Sequence, residues 1–62
     1  MYSKITIMFQ HRPFIVFEDI TPKLIVRKTD DGYLYILRVI NSDSSKTLFV
    51  VSPGEWISWE AK

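Results

Sequence analysis

Hydrophobic and polar residues alternate along Ser3–Phe9. Ile5, Ile7 and Phe9 fall on one side of an extended chain, and Lys4, Thr6 and Met8 on the other. A period of two over this length predicts a half-buried β-strand. Gln10-His11-Arg12-Pro13 breaks the pattern, because Pro13 biases Arg12 towards an extended conformation and ends or turns the strand. Phe14-Ile15-Val16-Phe17 is a continuous apolar run, too short for a helix and flanked by breakers. It predicts a second strand with apolar groups on both faces. Glu18–Pro22 is a connection, with Pro22 at a strand entrance or edge because it has no N–H to give to a ladder.

Lys23–Ile40 predicts a hairpin around which the chain is organised. Leu24-Ile25-Val26 and Tyr33-Leu34-Tyr35-Ile36-Leu37 are rich in β-branched and aromatic residues, and Thr29-Asp30-Asp31-Gly32 lies between them. Two turns satisfy this sequence. Asp31-Gly32 could form a type I′ turn, or Asp30-Asp31 a type I turn followed by a left-handed Gly32 in a bulge. The second is preferred, since it asks positive φ of glycine alone. It sets Val26 opposite Ile36, Ile25 opposite Leu37, and Arg27 beside Tyr33 and Tyr35.

Asn41–Lys46 is the most polar stretch and predicts a surface loop with Asx-turn and serine-turn chemistry. Thr47–Val51 predicts another strand. Ser52-Pro53-Gly54-Glu55 predicts a turn, with Pro53 pre-setting φ and Gly54 accepting a positive one. Trp56–Glu60 predicts a last strand, with Ile57 and Trp59 on one face and Trp56, Ser58 and Glu60 on the other. Trp59 is therefore expected inside and Trp56 partly outside. No run has a convincing helical period. Five or six short strands joined by tight turns give an all-β fold, a small antiparallel barrel or sandwich whose natural size matches are SH3-like and OB-like barrels.

Sixty-two residues make one small domain of marginal stability. The chain has no cysteine, so neither a disulfide nor a thiolate zinc site is expected, and the single His11 cannot build a histidine metal site alone. Neither a secretory signal nor an apolar stretch of membrane-spanning length is visible, so a cytoplasmic location without a membrane partner is expected. Eight basic residues against seven acidic ones give a net charge of +1, too little to indicate nucleic acid by bulk electrostatics.

Catalytic chemistry is poorly supplied, and no catalytic residue, cofactor or metal site is expected. Glu18 and Asp19 are adjacent and would face opposite sides of a strand. Both glycines are assigned to turns, which leaves none for a phosphate-binding loop. Asp30-Asp31 reads as turn chemistry, with too few other oxygen ligands in sight for a cation. His11-Arg12 is a polar loop tip that could meet an acidic partner or a phosphate.

The surplus of apolar groups points further. Phe14–Phe17, Leu24–Val26, Leu34–Leu37 and Leu48–Val51 all carry them on both sides, whereas a small antiparallel fold has one interior. A second set left uncovered marks an interface. The competing reading is a closed barrel whose long, coiled strands use both-face residues at the corners where they bend from one layer to the other. The expected function is a non-enzymatic protein-interaction module, a homodimer or a binder of another protein, that acts by occluding or bridging a partner's surface. Phe14, Val16, Tyr33, Tyr35 and Trp56 are its candidate partner-binding residues. The size suits a small inhibitor of the kind phages encode. The alternative is a nucleic-acid-binding small barrel, in which Arg27, Lys28 and Arg38 neutralise a single strand while Tyr33 and Tyr35 stack on its bases. Clustering of Lys23, Arg27, Lys28, Arg38 and Lys46 on one face would favour the alternative; dispersal would favour protein binding.

Overall fold

The computed structural model describes residues 1–62. It is all-β, with six strands and no helix: β1 (Lys4–Phe9), β2 (Ile15–Glu18), β3 (Leu24–Lys28), β4 (Leu34–Asn41), β5 (Ser44–Val51) and β6 (Trp56–Ala61). Two three-stranded antiparallel sheets result, in the orders β2-β1-β6 and β3-β4-β5. The ladders do not close into a barrel, so each sheet keeps two edge strands. Tyr2 crosses from the first sheet to the second, exchanging two backbone hydrogen bonds with Leu24 at 2.8 and 2.9 Å.

The alternation along β1 sends Ile5, Ile7 and Phe9 into the core, as expected. Leu24, Leu34, Ile36 and Val51 meet them from the other sheet, and these seven residues form one apolar cluster. Side chains between the edge strands close its flanks. Phe17 of β2 packs against Phe49 of β5 with ring centroids 5.6 Å apart. The Trp56 indole N–H of β6 donates to the Gly32 carbonyl at the β3–β4 turn, 3.0 Å away.

The central hairpin takes the preferred register, with Val26 opposite Ile36 and Ile25 opposite Leu37. Gly32 has φ +94° and no other residue type has positive φ, which excludes the type I′ turn. Its N–H donates to the Thr29 carbonyl at 3.1 Å, closing a four-residue turn. Gly54 is the second residue with positive φ, at +83°, and the Glu55 N–H closes that turn on the Ser52 carbonyl.

Three expectations need correction. The polar loop Asn41–Lys46 is a tight turn at Ser42-Asp43, with β4 running to Asn41 and β5 starting at Ser44. The Asx chemistry is present: Asn41 Oδ1 accepts from the Asp43 N–H at 2.9 Å and the Ser44 hydroxyl at 3.1 Å. Second, β2 starts at Ile15, leaving Phe14 in the β1–β2 loop. Third, the tryptophans are not on opposite faces. The β1–β6 register shifts between Met8 and Phe9, so Ile57 is a bulge and Trp56 and Trp59 pair with Phe9 and Ile7 respectively. An extra residue in one strand turns a spacing of three into a same-face spacing. Trp56 packs against the core, while Trp59, at the sheet margin, stays 36% exposed.

Candidate functional site

Antiparallel partners share a face, so the register of β3-β4-β5 sorts its paired side chains, with Ile40 and Leu48 left unpaired at the two register shifts. The rows Val26–Ile36–Phe49 and Lys28–Leu34–Val51 point to the core side, as does Leu24–Arg38–Lys46. The rows Arg27–Tyr35–Val50 and Ile25–Leu37–Thr47 point away, followed by Val39 opposite Ser45. Alternation on β4 thus feeds two apolar faces, Leu34 and Ile36 inside and Tyr35, Leu37 and Val39 outside. The six strands are all used in the two sheets, and no element lies over the outer rows. At their far end Ile25 and Val39 floor a shallow groove of about 260 Å³, rimmed by the polar β4–β5 turn.

The other outer face is different in kind. Lys4, Thr6, Glu18, Ser58 and Glu60 make most of it polar. Its apolar end holds Met8 and Val16, with Phe14 one register step beyond the Ile7–Ile15 pair and 59% exposed.

The expected partner-binding residues are therefore divided. Tyr33 and Tyr35 lie together on the outer face of β3-β4-β5, with ring centroids 6.5 Å apart. Phe14 and Val16 belong to the opposite side of the molecule, and Trp56 is a core-flanking residue tied to Gly32. The alternative set divides too. Arg27 pairs with Tyr35 beside Tyr33, but Lys28 and Arg38 lie on the core-side rows. Lys28 Nζ sits 5.8 Å from the Trp56 ring centroid.

Arg38 is occupied. Its Nε–H donates to Asp19 Oδ2 at 2.6 Å, and Asp19 Oδ1 accepts from the Thr21 N–H at 3.2 Å. The Arg38 hydrogen bond, with the Thr21 N–H second, holds the Asp19 carboxyl below its ordinary value of 3.8. A depressed folded value contributes stability above the unfolded pKa, and that stability is lost as pH falls through the folded one. Asp19→Asn is therefore expected to lower the urea midpoint at pH 7, and the gap from the parent should shrink below about pH 4. A gap that stays constant down to pH 2 would contradict this, and added salt should narrow it at neutral pH.

Ile25, Leu37 and Val50 lie in runs the sequence marks as apolar on both sides, but neither they nor Val39 were among the expected partner-binding residues. The signal was present, since the register that sets Arg27 beside Tyr35 also sets Ile25 opposite Leu37. No group of three or more His, Cys, Asp or Glu side chains is placed to share a metal ion. What the outer face offers is apolar area, two tyrosine rings and one guanidinium. No protein-family model, curated protein or solved structure gives a significant match to this chain.

Proposed function

We propose that this chain is a non-enzymatic protein-interaction module that self-associates through the outer face of β3-β4-β5 and acts by occluding or bridging the surface of a protein partner. One observation carries the reading: Ile25–Leu37, Tyr35–Val50 and Val39 form adjoining cross-strand apolar rows with no strand layered over them, Val50 exposed and the others half-buried by their neighbours. Hydrophobic rows on an uncovered sheet face are what an interface buries. The molecule measures 34 × 23 × 14 Å. A broad face of that outline is comparable to the ~800 Å² per partner of a standard interface. Burial of ~600 Å² of apolar surface is worth on the order of 15 kcal/mol before association costs.

Dispersal of the basic residues over both faces, and the engagement of Arg38 by Asp19, support protein binding over nucleic-acid binding. The finer architecture proposed for the module is an open, flattened sandwich rather than an SH3-like or OB-like barrel. An inhibitor working by occlusion suits its size. The setting proposed is cytoplasmic, as a cysteine-free chain needs no oxidising compartment.

Sedimentation velocity over about a hundredfold concentration range, at low and high salt, tests the reading. A dimer that resists salt is expected. Leu37→Glu, which puts a charge among the apolar rows, should weaken it by more than about a hundredfold, a cost of ~3 kcal/mol. Val16→Glu, on the opposite face, should leave it intact. A folded monomer at every concentration would remove the main support for self-association, and titration with single-stranded DNA and RNA would follow.

A further inference from the structure

A second site lies away from the outer sheet face, at the end of the molecule where the β1–β2 loop meets the β5–β6 turn. The Gln10 N–H donates to the Glu55 carbonyl at 3.2 Å and ties the two segments together. Between them is a concavity of about 150 Å³ lined by Phe9, His11, Arg12, Gly54 and Glu55. The Arg12 guanidinium carbon stands 4.2 Å from the Phe9 ring centroid and 5.7 Å from that of Phe49. A guanidinium over a ring face is held by the ring quadrupole and keeps its N–H groups free at the edge. Arg38–Asp19 is the one ion pair in the molecule. Arg12 is thus pre-positioned and unpaired, and it does not reach Glu55 although both line the same space.

We propose that this concavity binds a single carboxylate carried by a partner protein, with Arg12 as the cationic fork, His11 as a second polar contact and Phe9 as the apolar wall. Size and charge select the ligand. Small-molecule sites usually enclose 300–1,000 Å³, so this one takes an end group rather than a whole cofactor. The arginine fork matches the two oxygens of a carboxylate. Glu55 lines the same space without pairing with Arg12, so its carboxylate repels a doubly charged phosphate more than a singly charged carboxylate.

Amide and side-chain N–H NMR shifts can follow binding at Arg12 Nε, His11 and Gly54. Three probes are compared: a capped peptide with one glutamate, an uncharged peptide with a free C-terminus, and inorganic phosphate. Saturable shifts with either peptide are expected, and which one binds more tightly distinguishes an acidic side chain from a chain end. Phosphate should bind more weakly. Arg12→Gln should weaken peptide binding by about tenfold or more, and Glu55→Gln, which leaves the Phe9–Arg12 stack in place, should strengthen it. Absence of saturable shifts with both peptides, phosphate binding more tightly than either, or an affinity unchanged by Arg12→Gln and Glu55→Gln would each overturn the proposal. None of these outcomes depends on the oligomeric state.

Discussion

Replacing Ile36 with alanine is expected to remove half or more of the chain's stability. Ile36 is fully buried on the middle strand of its sheet, between Val26 and Phe49, in a core of only seven residues. Truncating a buried isoleucine costs about 2–5 kcal/mol, as transfer free energy plus the cavity left behind. A domain of this length holds roughly 3–9 kcal/mol in all. No disulfide is present to limit the loss. Urea unfolding followed by tryptophan fluorescence and circular dichroism gives the measurement, and the midpoint should fall to a small fraction of the parent value. Ile57→Ala is the control, since Ile57 is a bulged residue 59% exposed and should move stability by no more than about 0.5 kcal/mol. Equal effects at the two positions would mean that the core is not where Ile36 lies.

That contrast also shows what the order of residues made legible. Ile5, Ile7 and Phe9 alternate with polar neighbours on β1, so strand and buried face follow together. Gly32 and the aspartates before it fix the hairpin turn, and with it every pairing from Leu24 to Arg38. The bulge at Ile57 is different. Nothing local in Trp56-Ile57-Ser58-Trp59 marks it, because it depends on how β6 meets β1 across the sheet, a contact between residues some fifty positions apart. Ser44-Ser45-Lys46 misleads for another reason. Ladder hydrogen bonds use the backbone, so a hairpin that projects beyond the core can be built from polar side chains.

The candidate surface was half legible for the same physical reason. Apolar runs on both faces of β4 reveal that a second face exists, but they do not say which face the other sheet covers. Tyr35 and Leu37 could have been core and Leu34 and Ile36 surface. Docking of β1 decides it, since Ile5, Ile7 and Phe9 join Leu34 and Ile36 in one cluster. The basic residues scatter as a consequence. Arg27 and Lys28 are adjacent on one strand and must diverge, and Arg38 follows Leu34 and Ile36 to the core side, where Asp19 meets it.

Gly32→Ala is expected to be the most damaging change outside the core, at about 2–3 kcal/mol. Two terms contribute. Holding a residue other than glycine at φ +94° costs about 1–3 kcal/mol. The added Cβ would also stand 3.2 Å from the Pro53 Cβ and 3.5 Å from its Cγ. The proline ring cannot swing aside like a flexible side chain, so the turn must shift, which strains the Trp56 N–H bond to the Gly32 carbonyl. Gly54→Ala separates the terms. Gly54 has φ +83°, but a Cβ there would meet nothing within 4 Å, so only the backbone cost applies. The order of urea midpoints should be parent, then Gly54→Ala, then Gly32→Ala. A Pro53→Gly background should bring the cost of Gly32→Ala down to that of Gly54→Ala, because the crowding is gone while the φ cost remains. If Gly32→Ala costs the same in both backgrounds, the Pro53 contact is not a determinant of the turn, and the extra loss must come from the backbone alone.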